Sequence, residues 1–228
     1  MNSRPLTVLG ALILALLFAW AGLRFYQARA VLAVAAGQAS PPNATDLAAE
    51  APPPLARIPE KLPDFALKDL KGKLTPISQW AGKALVLNFW ATWCAPCRRE
   101  IPLLKSLAGP FAERDVVTIG IAVDYVDKVQ DFADQYHIGY PLLVGEQEAL
   151  DVAARLGVTS PVFPFTVFTD HHGNVIALTV GELHRPQIDL ILGEIDQIER
   201  HGVALSAARE RIANGLADLA KNATPATT

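Results

Sequence analysis

The chain has 228 residues, 51% of them apolar, and its 20 lysines and arginines nearly balance 23 aspartates and glutamates. A formal charge of −3 gives no electrostatic footprint for nucleic acid. The two cysteines sit in one Cys-x-x-Cys, so no pair is left for a structural bridge: stability must come from packing, and the thiols are free for chemistry.

Residues 6–23 (LTVLGALILALLFAWAGL) carry no charge. As a helix they span roughly 27 Å, enough for a bilayer core. Trp20, Phe25 and Tyr26 gather at the far end, as an interface belt would. The competing reading is a cleaved signal peptide, with Arg4 before the run and Ala28-Arg29-Ala30 as the cleavage-like site. The run is long for such a signal, so residues 1–26 are assigned to an uncleaved anchor. Arg4 precedes the run while Arg24 and Arg29 follow it, so the basic residues do not mark an exported C-terminus. Residues 27–61 form an Ala/Pro-rich linker without periodicity, a tether that holds a domain off the membrane.

The globular part is assigned to residues 62–200. FALKD and LTPISQW flank Lys71-Gly72-Lys73 as a small hairpin. ALVLNFW (84–90) is an apolar run of strand length, typical of a buried central strand. It leads straight into the cysteines, after which Ile101, Leu104 and Leu107 fall at helical spacing. VVTIGIAV (116–123) is a second buried strand, and 127–137 and 146–156 read as helices. FTVFT (165–169) and NVIALTV (174–180) are strands joined by the turn Asp170-His171-His172-Gly173, whose histidines read as solvent contacts. Ile188, Ile191, Ile195 and Ile198 mark an amphipathic helix with Pro186 in its first turn. Residues 201–228 are an extension in which Leu205, Ala208, Ile212, Leu216 and Leu219 mark a second amphipathic helix, packing on the domain or docking a partner, and NATPATT is a tail. The element order is β-hairpin, β-α-β-α-α-β-β-α, with parallel crossovers first and an antiparallel hairpin last.

A Cys-x-x-Cys has several chemical readings. Zinc needs two further ligands, and no second cysteine pair or His-x3-5-His exists. A c-type haem site needs histidine where Arg98 stands. A peroxiredoxin-like site needs proline and threonine where Leu87 and Ala91 stand. A dithiol/disulfide pair at a strand-to-helix junction remains. Cys94 lies at the helix N-terminus, where free N–H groups and the positive dipole end stabilise a thiolate. Cys97, one turn on, can close back on Cys94 and expel a mixed-disulfide partner.

FWATWCAPCRREIP, followed by FPFTVFTDHHGNVI, resembles the membrane-anchored thioredoxin-like proteins of the TlpA/ResA type, with the CcmG-like thioredoxins of cytochrome c maturation as close relatives. The resemblance covers about residues 60–200 and implies an α/β thioredoxin-like fold: a central mixed sheet flanked by helices, here with an N-terminal transmembrane helix and an extra C-terminal amphipathic helix. It implies a thiol:disulfide oxidoreductase of the bacterial inner membrane, single-pass, with its catalytic domain in the periplasm. By this resemblance Cys94 is the attacking thiolate, Cys97 the resolving thiol, and Ala95-Pro96 the dipeptide that tunes the redox potential. Asn88 stands where ordinary thioredoxins carry a buried carboxylate. Glu100, about one turn beyond Cys97 on the same helix face, matches a glutamate that influences proton transfer at the dithiol. Pro164 matches the cis-proline facing the site, so that the backbone of Phe163 is open to an extended substrate and Phe163 shapes substrate choice. Trp93 shields the disulfide or contacts partners, Trp90 belongs to the core, and Pro102 matches the helix-kinking proline. Arg98 and Arg99 face solvent, where they either lend positive potential to the thiolate or are plain surface.

The expected function is reduction of disulfides in substrate proteins, with re-reduction by a transmembrane electron donor and no cofactor or metal beyond the redox-active cysteine pair. Cytochrome c maturation is one setting. The alternatives are a disulfide oxidase or isomerase, a copper(I) metallochaperone using both thiolates, and a docking module with a vestigial dithiol.

Overall fold

The computed structural model describes residues 58–107 and 115–223. The apolar run 6–23, most of the linker and the end of the tail lie outside them. Among the described residues no helix is long and apolar enough to cross a membrane.

Seven strands form one sheet: β1 (Ala66–Asp69), β2 (Leu74–Pro76), β3 (Ala84–Trp90), β4 (Val116–Ala122), β5 (Leu142–Val144), β6 (Phe165–Thr169) and β7 (Val175–Val180). Their spatial order is β2-β1-β5-β4-β3-β6-β7. β3, β4 and β5 run parallel, while β6 and β7 on one side and β1 and β2 on the other are antiparallel additions. The helices are α1 (Ala95–Leu107), α2 (Val126–Tyr136), α3 (Gln147–Arg155), α4 (Arg185–His201) and α5 (Leu205–Ala223).

β3 is flanked on both edges and covered on both faces, and all seven of its residues are buried. Its side chains alternate. Val86 and Trp90 join the core layer beneath α1, α2 and α4; Leu85, Leu87 and Phe89 join the layer beneath α3. Each such side chain, fully buried, contributes about 1.5–3 kcal/mol. α1 faces its layer through Cys97, Ile101, Leu104 and Leu107, and Pro102 is accommodated inside it. At α4, the His184 N–H donates to Gln187 Oε1 at 2.8 Å. The helix stops at Gly202, whose φ of 63° favours a residue without Cβ.

Several sequence expectations need correction. β5 was not read from the sequence: three residues behind Pro141 are too few to show a period. The second strand of the first hairpin ends at Pro76, and Ile77–Trp80 form a 3-10 turn that buries Ile77. The linker's end belongs to the fold, since Lys61 bridges Asn174 and Val175 N–H donates to Glu60 O at 2.9 Å. His171 is more than a solvent contact in a turn, for its Nδ1 lies 3.0 Å from Glu199 Oε1. α5 extends through Asn222 and Ala223, which the sequence reading gave to the tail. α5 packs on the domain: Ala208 and Ile212 are buried, and Arg209 donates to Val175 O and Glu60 O.

Candidate active site

β3 delivers the chain to the site and α1 begins there. Cys94 is the residue before α1, Cys97 lies in its first turn, and a disulfide joins them with Cα atoms 5.3 Å apart. The Cys97 N–H points at Cys94 Sγ at 3.3 Å. The Cys94 sulfur thus occupies the place of a helix-capping acceptor, where unpaired amides and the helix dipole favour negative charge. Exposure is unequal, 5% for Cys94 and 1% for Cys97, so an incoming sulfur reaches Cys94 more readily.

Trp93 is 67% exposed, and its ring meets Phe163 edge-on with centroids 6.0 Å apart. Phe163 in turn stacks on Phe165, and Phe165 on Phe89 of β3. The Phe163–Pro164 bond is cis. Pairing of Phe89 with Phe165 sets Pro164 level with the end of β3, where the cysteine segment starts. Pro164 O accepts from Gly181 N–H at 2.8 Å, whereas Phe163 takes part in no backbone hydrogen bond among the described residues. Trp90 is buried in the core layer.

Glu100 is buried, 1% exposed. Its Oε1 accepts from Asn88 Nδ2 at 2.7 Å and its Oε2 from Leu183 N–H at 3.0 Å; Asn88 Nδ2 also donates to Thr166 Oγ1 at 3.0 Å. Burial pushes the carboxyl up to about 7; the Leu183 and Asn88 hydrogen bonds oppose this, and the nearby charge of Glu182 adds to it. Burial, with a smaller contribution from the Glu100 charge, also raises the Tyr140 hydroxyl. Arg98 and Arg99 are exposed, but Arg99 is paired with Glu182 at 2.6 Å, so its charge is partly compensated.

Sequence reasoning missed Asp124. This buried carboxylate accepts from Thr92 N–H at 3.0 Å and from Tyr125 N–H at 2.9 Å, tying the segment before Cys94 to the loop after β4. The available signal was a lone acid directly after a buried strand. Among the described residues no group of three or more His, Cys, Asp or Glu side chains is arranged to hold a metal ion.

A sequence profile of the AhpC/TSA family matches residues 58–178. The chain belongs to this family. Within it, the chain is 30% identical over 136 residues to the thiol-disulfide oxidoreductase ResA of Halalkalibacterium halodurans, covering 59% of this chain and 75% of that protein. It is 32% identical to the thioredoxin-like protein YneN of Bacillus subtilis, covering 57% of this chain and 75% of the relative. A thiol:disulfide interchange protein of the thioredoxin family from Chlorobium tepidum superposes with a TM-score of 0.50 at 29% identity, covering 59% of this chain and 90% of that structure. The fold is thioredoxin-like, and this AhpC/TSA member is a thiol-disulfide oxidoreductase.

Proposed function

We propose that the protein is a membrane-tethered periplasmic reductase of protein disulfides. The observation that carries this reading is the Cys94–Cys97 disulfide at the start of α1, with the sulfur of Cys94 at the capping position and buried Glu100 one turn beyond Cys97. In the reduced state the Cys94 thiolate attacks one sulfur of a substrate disulfide. A new sulfur–sulfur bond forms, the substrate bond breaks, and the electron pair leaves on the other substrate sulfur as a thiolate. Cys97 then loses its proton, attacks Cys94 Sγ and expels the second substrate thiolate. The substrate has gained two electrons and the protein disulfide is restored. Glu100, with a pKa of about 7, is matched to accept the Cys97 proton near neutral pH. Trp93 directly precedes Cys94 in the chain and meets Phe163 edge-on, and the open backbone of Phe163 suits an extended substrate segment. Each turnover leaves a disulfide, so a transmembrane electron donor must supply two electrons for the next one. The uncharged run 6–23 and the tether support the anchored, exported arrangement. A setting in cytochrome c maturation is supported by the resemblance to CcmG-like proteins.

Cys97→Ser tests the reading. Mixed disulfides through Cys94 should accumulate on envelope proteins and dissolve in dithiothreitol. Their absence, or equal accumulation through Cys97 in Cys94→Ser, would count against the assigned cycle.

A further inference from the structure

Cys94 does not lie on β3 itself. Ala91, Thr92 and Trp93 carry the chain from the end of β3 to the attacking sulfur, and the Cys94 N–H closes this turn on Ala91 O at 3.2 Å. The place of Cys94 Sγ at the head of α1 therefore depends on what holds the turn. Ala91 and Cys94 are buried, but Thr92 is half-buried and Trp93 exposed, so packing holds the middle of the turn only weakly.

The end of β4 supplies what packing does not. β3 and β4 pair in register up to Trp90 and Ala122. One residue further, Val123 N–H donates to Trp90 O at 2.9 Å. At the next residue the pairing passes to a side chain. Asp124 Oδ2 accepts from the Thr92 N–H at 3.0 Å and also from the Thr92 hydroxyl. Its Oδ1 accepts from Tyr125 N–H at 2.9 Å, at the residue that precedes α2. Asp124 is buried and forms no ion pair among the described residues. Burying a carboxylate is costly unless its oxygens are bonded, and here N–H and O–H donors serve both of them. One side chain thus ties the middle of the cysteine turn to the central sheet and to the start of a helix.

We infer that Asp124 and Thr92 are a positioning pair for the dithiol: they hold the turn so that Cys94 Sγ stays at the head of α1. There the Cys97 N–H lies 3.3 Å from the sulfur. In the reduced protein the same amide and the positive end of the helix stabilise the thiolate. A turn released from Asp124 lets the sulfur leave that place, and the thiolate loses part of this stabilisation. The pair acts through Cys94, a role that rests on Cys94 being the attacking sulfur and not on the direction of electron flow.

Position and charge predict opposite signs. Removing a nearby negative charge favours the thiolate and lowers the thiol pKa, whereas loosening the turn disfavours the thiolate and raises it. The reduced full chain in detergent is alkylated with iodoacetamide across a pH series, with Cys94 followed by peptide mass, and the couple is equilibrated in dithiothreitol buffers. Asparagine offers one acceptor oxygen in place of two, so Asp124→Asn cannot hold Thr92 and Tyr125 together. The pH midpoint of Cys94 alkylation should rise by about one unit, and the exchange equilibrium should move about tenfold toward the disulfide, about 30 mV more negative. Thr92→Val, which removes only the hydroxyl, should move the equilibrium the same way by about threefold, and by less when combined with Asp124→Asn. Thr92→Ser, which keeps the hydroxyl, should retain the wild-type midpoint and potential. Should Asp124→Asn fail to fold, the two Thr92 variants decide the matter. A purely structural role would destabilise the oxidised and reduced proteins alike and leave the potential where it was. An unchanged midpoint and potential, or a midpoint that falls, would overturn the inference. An oxidising wild type that shows these shifts would remove the reductase direction alone; a reducing wild type without them would remove the positioning pair alone.

Discussion

Asn88 Nδ2 lies 2.7 Å from Glu100 Oε1, so a buried amide on the strand that delivers the dithiol is bonded to a buried carboxylate on the helix that begins at it. The second Glu100 oxygen is taken by the Leu183 N–H just ahead of α4. Three segments distant in sequence meet on one side chain. An amide in this position donates to the carboxylate without adding a second negative charge, which would raise Glu100 further.

Glu100 should leave a signature in stability. Its native pKa of about 7 stands above the ordinary 4.5. Between those values the native chain holds a proton that the unfolded chain has lost. The unfolding free energy therefore falls as pH rises from about 4.5 to about 7, and the effect is constant above that. In urea unfolding of the oxidised protein at about pH 5 and about pH 8, Glu100→Gln should lose less stability between the two than the wild type. The same variant should shift the thiol titration of the reduced protein and slow its reaction with a protein disulfide. A solvated surface glutamate would do neither.

Gly120 pairs in register with Asn88 on the neighbouring strand. A Cβ there would meet Leu142 Cδ2 at 2.6 Å, Trp90 Nε1 at 3.0 Å and Tyr140 Cε2 at 3.1 Å. Two of these neighbours are buried rings with little freedom to retreat. Gly120→Ala should destabilise the fold by about 1–3 kcal/mol through overpacking. Denaturant unfolding followed by tryptophan fluorescence measures the loss.

The extra helix should be part of the fold's stability. The Arg209 guanidinium donates through Nε to Val175 O at 3.0 Å and through Nη2 to Glu60 O at 3.3 Å, at the outer strand and the segment that enters the domain. Arg209→Ala leaves a carbonyl at the edge of β7 without this partner. A cost of about 1–3 kcal/mol is expected. Amide exchange at Leu62 and Val175, whose N–H groups donate to Gly173 O and Glu60 O, should quicken more than exchange in β3. Uniform exchange across the sheet would show that Arg209 does not staple this edge.

The long elements were legible because their burial shows in the residue pattern. Ala84–Trp90 is apolar at every position but Asn88 because both of its faces are covered, and Ile188, Ile191 and Ile195 repeat along α4 because one of its faces is. Leu142–Val144 was not legible, since its strand state is imposed by pairing with β4 and β1 and not by a pattern of its own. At the site, the cysteine spacing announced its chemistry. The phase of Glu100 placed it on the face of Cys97, but its burial and its partners Asn88 and Leu183 come from tertiary packing across 12 and 83 residues. Asp124 was missed for the same reason: its bond to Thr92 spans 32 positions and has no local signature.

The central claim is that the dithiol works as a reductant, and its reduction potential tests this most directly. The known scale runs from about −270 mV for thioredoxin to about −120 mV for a strong periplasmic oxidant, with about 30 mV for each tenfold change in exchange equilibrium. The Cys94–Cys97 couple, equilibrated in dithiothreitol buffers and read by alkylation mass shift, should lie below about −220 mV. A value above about −160 mV would contradict the reductase account and make the protein an oxidant.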